Sequence, residues 1–414
     1  MHRDCKLTNL SLAGNNRIRG AVKHLAAALM HSECKLTRFN LSNNTITDEG
    51  AKQMAAALMH RECKLTSLIL SSITTEHVKQ LSAALMHRDC KLTRLTLGSF
   101  NKITDEGVTQ LAAALMHSEC KLTYLNLADN IITAEGAKQL ATALIHRDCK
   151  LTRLNLKLNK ITVEGVTQLA AALMHSESCK LTRLNLPYHN ITAEGVKQVV
   201  AALMHSECKL SGLNLSSNNV TTEGAKHLAV ALMHSECKLT RLNLSSNNIT
   251  AEGAKYLAAA LMHRECKLTK LNLWSNRITA EGAKHLAKAL KHSDCKLTKL
   301  DLSCNNITDE GAKQLAEALM HSECELTKLS LAANNITAEG ARHSAAALMH
   351  RDCKLTNFSL SNNDITDKGA KYLADALMHS ECKLTTFIVW ANNITDEGKK
   401  LLAQATPIKT YIHY

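Results

Sequence analysis

Aromatic side chains are scarce: 2 Trp, 6 Tyr and 4 Phe in 414 residues. So few rings cannot furnish a base-stacking platform along single-stranded nucleic acid, where stacking carries much of the binding. Long apolar runs are missing too. The longest aliphatic stretches are pieces such as Leu257-Ala258-Ala259-Ala260-Leu261-Met262, far short of the ~20 residues that span a bilayer, so no membrane partner is expected. The first residues, Met1-His2-Arg3-Asp4-Cys5-Lys6, hold no apolar signal region. That points to a cytoplasmic setting (or a nuclear one) in which the cysteines stay reduced. No Ser-His-Asp logic, phosphate-binding glycine loop or paired-carboxylate setting stands out. The expectation is a protein that is not an enzyme and needs no cofactor and no metal.

What is present recurs. Cysteine stands at 5, 34, 63, 90, 120, 149, 179, 208, 237, 266, 295, 324, 353 and 382, at intervals of 27 to 30 residues and mostly 29; only Cys304 lies off this ladder. Fourteen units of about that length fill the chain, which excludes a string of unrelated compact domains and a disordered tail. The expectation is a single domain over 1–414, with a last partial unit at about 406–414 that caps the core.

One unit, Cys237 to Glu265, shows the logic. Leu242 and Leu244 alternate with polar Arg241 and Asn243, the period-two signature of a short strand with one buried face. Asn247 follows where the chain must turn, and a buried Asn can bond backbone groups that a turn leaves unpaired. Beyond it, Thr250 is placed to cap a helix, Glu252 lies in its first turn, and Ala254, Leu257, Ala258 and Leu261 form an i, i+3, i+4, i+7 stripe. One strand and one helix cannot bury their own apolar face; stacked copies can.

This pattern resembles the leucine-rich repeat over essentially the whole chain. The ~29-residue period and the Glu-Gly-Ala-x-x-Leu-Ala-x-Ala-Leu run are similar to the ribonuclease-inhibitor-like subclass, which the ligand-sensing regions of NOD-like receptors and the Ran GTPase-activating protein share. The resemblance implies an α/β fold: a right-handed solenoid, or horseshoe, of about 14 strand-helix units, with a parallel sheet on the concave side and helices on the convex side. It also implies a non-enzymatic protein-interaction module, most similar to the sensing region of a NOD-like-receptor-type innate immune protein. Two alternatives stay open: a Ran-type GTPase-activating protein, and a ribonuclease-inhibitor-like or adaptor scaffold. Ribonuclease inhibitors bind strongly basic enzymes, and the excess of 50 basic over 37 acidic residues disfavours that function.

Several tempting motifs are by-products of the period. His-x-x-Cys recurs in nearly every unit, as at His31 and Cys34. One His and one Cys per unit would force neighbouring units to share a zinc all along the rod; a helix-end histidine beside a small buried thiol is the simpler reading. Stacked strands lie ~4.8 Å apart, within disulfide reach, so oxidation is expected to break the array and the reduced form to be native. The sequons at Asn190, Asn248, Asn306, Asn335 and Asn393 come from the Asn-Ile-Thr turn. Irregular units predict local distortion: the third is two residues short and carries His77 where others have Gly, the fourth displaces Asn101, the seventh has His189 in the Asn position beside Pro187 and Tyr188, and the first reads Asn15-Asn16-Arg17-Ile18.

Binding residues are expected beside the core leucines of each strand. The first column reads Asn9, Arg38, Ser67, Arg94, Tyr124, Arg153, Arg183, Gly212, Arg241, Lys270, Lys299, Lys328, Asn357 and Thr386; eight of the fourteen are basic. The second column is largely amide and includes Asn155, Asn185, Asn243 and Asp301, while the third has the outliers Lys157, Pro187, Trp274 and Trp390. The candidate partner-binding set is Arg94, Arg153, Asn155, Arg183, Asn185, Tyr188, Arg241, Asn243, Lys270, Trp274, Lys299, Asp301 and Lys328. It fits a protein partner with an acidic surface, or a polyanion, with Trp274 as the anchor. Met1 falls in the same column as Met30 and Met59. An array that starts in register has no polar cap, so the chain is expected to belong to a longer array or a larger receptor.

Overall fold

The computed structural model describes residues 6–15, 20–98, 101–175 and 178–405, and the backbone of 411–413. Two compact units arise, Met1–Asn190 with His205–Leu213, and Ile191–Met204 with Asn214–Tyr414.

The first holds strands β1 (Asn9–Ser11), β2 (Arg38–Leu41), β3 (Ser67–Leu70), β4 (Arg94–Thr96), β5 (Tyr124–Asn126), β6 (Arg153–Asn155) and β7 (Arg183–Asn185). They alternate with helices α1 (Val22–Leu29), α2 (Asp48–Leu58), α3 (Thr75–Leu85), α4 (Asp105–Leu115), α5 (Ala134–Leu144) and α6 (Val163–Leu173). The second holds helices α7 (Ala193–Leu203), α8 (Thr222–Leu232), α9 (Ala251–Leu261), α10 (Ala280–Leu290), α11 (Asp309–Leu319), α12 (Ala338–Leu348), α13 (Asp367–Met378) and α14 (Asp396–Gln404). Its strands are β9 (Arg241–Asn243), β10 (Lys270–Asn272), β11 (Lys299–Asp301), β12 (Lys328–Ser330), β13 (Asn357–Ser359), β14 (Thr386–Ile388) and β15 (Tyr411–His413). The short strand β8 (Gly212–Asn214) spans the sequence boundary between them. Within each unit the strands run parallel in chain order, each helix returning the chain to the start of the next strand.

The repeat that the cysteines mark is the repeat of the fold. Leu242, Leu244, Ala254, Leu257, Ala258 and Leu261 are all buried, the strand leucines facing the helix stripe. Threonines stitch neighbours: the Oγ1 of Thr298 and Thr327 donate to the Thr269 and Thr298 carbonyls at 3.1 Å. Turn asparagines do the same at higher density. Asn247 Nδ2 donates to the carbonyls of Leu215, Leu244 and Ser245 at 3.0, 3.0 and 3.1 Å, and its Oδ1 accepts the Val220 N–H at 3.0 Å.

The cap departs from expectation. Thr250 holds the N-cap position in extended conformation but caps nothing with its side chain; its Oγ1 lies 2.7 Å from Thr222 Oγ1. Some helices are capped from the unit before. Asp309 accepts from Thr337 N at 2.8 Å, Thr337 Oγ1 at 2.7 Å and Gly340 N at 2.9 Å, so one helix's first carboxylate satisfies the next helix's open donors.

The third and seventh units keep their strand register. In the third, β3 pairs β2 and β4 without slippage, buried Ser71 accepts the Asn43 N–H, and displaced Asn101 still accepts Ile73 N at 2.8 Å. Among the described residues Asn101 Nδ2 finds no acceptor, so only half of the usual exchange survives. In the seventh, His189 Nε2 donates to Leu156 O at 2.8 Å, standing in for the amide's reach to the preceding unit. Met1 to Cys5, Asn16, Arg17 and Ile18 of the first unit, and 406–410 of the expected cap, lie outside the described residues. Beyond that gap β15 pairs with β14, Tyr411 opposite Thr386, which continues the ladder by one strand.

Burial pulls the His189 imidazole below the ordinary histidine range, against hydrogen bonds to the Leu156 and Asn159 backbones that raise it. The folded protein therefore holds it neutral while the unfolded chain takes up a proton below pH ~6.5. Its contribution is present in full above that pH and is lost as pH falls through the folded-state value. His189→Asn should remove this acid sensitivity and gain about 1 kcal/mol by restoring the amide. Urea midpoints of parent and variant on either side of pH ~6.5 check both; an equal acid drop in the two proteins speaks against the assignment.

Fourteen cysteines are described and all are free thiols; twelve are buried, while Cys304 and Cys382 are partly exposed. Burial pushes up the thiols of Cys63, Cys90, Cys120, Cys179, Cys237, Cys266, Cys295, Cys353 and Cys382, and those of Cys149 and Cys324 to about 11. Thiolate is the reactive form. Maleimide labelling of the native protein should thus mark Cys304 first and Cys382 next, with the twelve buried thiols reacting only after denaturation. Uniform labelling along the ladder in native buffer would contradict this.

Candidate functional site

Each unit presents its own sheet face. On the first, Arg38, Ser67, Arg94, Tyr124, Arg153 and Arg183 are Cα partners in sequence along the ladder. Arg94 Cζ sits 4.3 Å from the centroid of the Tyr124 ring, a cation–π contact that orders the guanidinium while leaving its in-plane N–H groups available. On the second, Arg241, Lys270, Lys299 and Lys328 form one unbroken row of Cα partners. Of the thirteen predicted residues, six lie on the first unit and seven on the second.

The amide column is less free than its sequence suggests. Asn243 Oδ1 accepts Ser245 N at 3.0 Å, Asn272 Oδ1 accepts Trp274 N at 2.9 Å and Asn155 Oδ1 accepts Lys157 N at 3.2 Å. These are turns closed by a side chain onto the backbone two residues on, so one half of each amide holds structure and only the NH2 half is offered outward. Asp301 is tied the same way, Oδ1 accepting Ser303 N at 3.0 Å and Ser303 Oγ at 2.7 Å. Asn185 differs because the residue two on is Pro187, which has no N–H.

Tyr188 and Trp274 lie past their strands, in the turns. Trp274 is 42 % exposed and Tyr188 49 %. Tyr188 holds a left-handed backbone, φ 64°, and its neighbour in the preceding turn, Leu158, is also left-handed at φ 55°. Bulky residues rarely adopt that conformation. Lys157 Nζ lies 5.2 Å above the Tyr188 ring. Trp390, 48 % exposed at the same turn position as Trp274, is a second large exposed aromatic that the predicted set omits; the shared third column is the signal that marks it.

Among the described residues no group of three or more His, Cys, Asp or Glu is arranged to hold a metal. The rim histidines are engaged locally: His263 Nδ1 accepts the Glu265 N–H at 3.3 Å, and His292 and His350 repeat the contact with the N–H groups of Asp294 and Asp352 at 3.2 and 3.3 Å. Among those residues no helix is long and apolar enough to cross a membrane.

A family model described as Leucine Rich repeat matches residues 33–55, 89–112, 119–141, 147–170, 177–199, 208–229, 236–258, 265–287, 293–316, 324–342 and 351–374. The chain belongs to the leucine-rich-repeat family. Such repeats serve as protein-interaction scaffolds. No curated protein matches the sequence. Among solved structures it is similar to a chain of the Rad7 and Elc1 complex in yeast, at 16% identity and a TM-score of 0.55 over 97% of this chain and 88% of that one. It is also similar to an internalin, InlF, of Listeria monocytogenes, at 17% identity and a TM-score of 0.47 over 97% of each chain. At such identities the likeness is one of fold.

Proposed function

We propose that this leucine-rich-repeat chain is a non-enzymatic recognition module of the NOD-like-receptor sensing type, which binds an acidic protein partner through its sheet faces. The observation that carries the reading is the row Arg241, Lys270, Lys299 and Lys328, four cationic side chains on consecutive strands in direct register. Like charges placed opposite one another cost folding stability, by roughly 0.2–1 kcal/mol a pair. An acidic partner offsets that cost and draws association rate from the same field. Exposed Trp274, two residues past the end of the row's β10 strand residue Asn272, supplies the apolar anchor that charge alone lacks. A basic sheet face with an anchor suits a cytoplasmic sensor of acidic protein surfaces.

The test is affinity capture with the full chain at low and high salt, repeated with Lys270→Gln/Lys299→Gln/Lys328→Gln and with Trp274→Ala. Captured partners should be lost at high salt and with the triple variant, and weakened about tenfold or more with Trp274→Ala. Binding that survives both would remove the proposal.

A further inference from the structure

The sheet face of the first unit carries a groove that the lysine row of the second does not explain. It has a cavity volume of about 660 Å³ and is lined chiefly by Arg38, Arg94, Ser67, Asn40 and Ile69, with no acidic residue in its wall. That size falls within the ~300–1,000 Å³ of small-ligand sites. We propose that this groove binds a phosphomonoester dianion, gripped by Arg38 and Arg94 above Ser67.

The register makes the groove. Arg38 pairs with Ser67 and Ser67 with Arg94, so the arginines stand two strand spacings apart, ~10 Å between backbones. Further along the row the place between two arginines is filled: Tyr124 separates Arg94 from Arg153. Ser67 is short, which leaves open space between the two arginines that border it. The Tyr124 ring under the Arg94 guanidinium occupies its face and spares its N–H edge. Asn40 is fixed, its Oδ1 accepting Ser42 N at 2.9 Å and its Nδ2 donating to Ser11 Oγ at 3.2 Å. Ile69, in a column otherwise mostly amide, supplies an apolar patch for whatever carries the anion.

The donor set chooses the ligand class. Two guanidinium forks offer more parallel N–H pairs than the two oxygens of one carboxylate can take. A phosphomonoester offers three oxygens and about −1.5 to −2 charges. The Ser67 hydroxyl, on the strand between them, is a further donor. The chemistry is shared by free phosphate and by phosphoserine on a peptide, and the test separates these sources.

Isothermal titration of the full chain uses inorganic phosphate, a short phosphoserine peptide, and that peptide with Glu or unmodified Ser in place of phosphoserine. Phosphate or phosphopeptide should saturate one site, and phosphopeptide affinity should rise with pH through the second ionisation of phosphoserine near pH ~6. Arg38→Gln and Arg94→Gln should each weaken binding about tenfold or more, and Ser67→Tyr, which fills the groove as Tyr124 fills the next gap in the row, should abolish it. A phosphopeptide that outbinds inorganic phosphate places the group on a polypeptide, and equal binding identifies the free anion. The site is refuted by absence of saturable binding, by a Glu peptide binding as tightly as the phosphopeptide, or by unaltered affinity in the arginine variants. Lys299→Gln, on the other unit, keeps this result separate from the acidic-partner reading: it should leave phosphate binding unchanged, and an equal loss there would reduce the groove to diffuse charge.

Discussion

Asn305→Ala is expected to cost about 2–4 kcal/mol, a large effect for a single substitution. Asn305 is fully buried. Its Nδ2 donates to the carbonyls of Leu273, Leu302 and Ser303 at 2.8, 3.2 and 3.0 Å, and its Oδ1 accepts Ile278 N at 3.1 Å. One amide thereby serves four backbone groups, two of them in the preceding repeat. Alanine leaves the Ile278 N–H unpaired where water is excluded, at about 1–3 kcal/mol, and takes one of two donors from each carbonyl, which keep Asn276 Nδ2, Asn334 Nδ2 and Ser275 N at 3.0, 3.1 and 2.8 Å. The residue is also a nearest-neighbour coupling, and arrays of this kind fold as linked repeats. The variant should therefore show, besides a lower urea midpoint by circular dichroism, a smaller m-value and loss of hydrogen-exchange protection concentrated around β10 and β11. Asn305→Asp sharpens the test. It preserves shape and the accepting oxygen but turns a second oxygen toward three carbonyls, so it should be at least as destabilising near neutral pH. An Asp variant close to the parent in stability would show that packing, and not the amide's donors, makes this position matter.

Much of this was readable from the chain. The 29-residue cysteine interval, the Leu-x-Leu pairs and the alanine-leucine stripe specify strand, turn and helix in order, because each is a local period with its own physical cause. Asn247's role at the turn follows from the same reasoning. What could not be read was how side chains share backbone donors across repeats. Nothing in the sequence says that Thr250 would pair with Thr222 and leave the cap bond unmade, or that Asp309 would cap the following helix. Those bonds join residues about 29 positions apart, and the choice depends on ångström-scale stagger between neighbours. The candidate faces were legible as columns, since strand alternation fixes which residues share a side. The groove over Ser67 was not, because a depression comes from what stands on either side of a short residue. Nor did the amide column announce that half of the Asn155, Asn243 and Asn272 amides is spent closing their own turns.

His77 tests that sharing most directly, because two rules predict opposite orders for its variants. At its position other helices carry glycine, and a Cβ added at Gly340 would come within 2.5 Å of Asp309 Oδ1 and 2.6 Å of Ile336 Cγ2. The third repeat solves the crowding by inverting it. His77 is buried, its Nδ1 accepts Thr74 N at 3.3 Å, and its Nε2 lies 2.7 Å from Asp48 Oδ1. With Nδ1 accepting a backbone N–H, the proton sits on Nε2 and is donated to the carboxylate, so Asp48 grips the imidazole where Asp309 grips a threonine and a glycine N–H. His77→Ala should cost about 2–4 kcal/mol, through the cavity, the lost bond to Asp48 and the lost half of the capping box. Helix propensity puts glycine about 1 kcal/mol below alanine, so His77→Gly ought to be worse still. The inter-repeat cap predicts the reverse: without a Cβ, Asp48 can swing onto Thr74 and the residue 77 N–H as Asp309 does onto Thr337 and Gly340, recovering bonds that alanine blocks. His77→Gly should then be the milder variant, and adding Asp48→Asn should erase its advantage while changing His77→Ala little. Thermal unfolding of the four proteins decides it. If glycine falls below alanine, the carboxylate does not move, and the cap belongs only to those repeats built with glycine from the start.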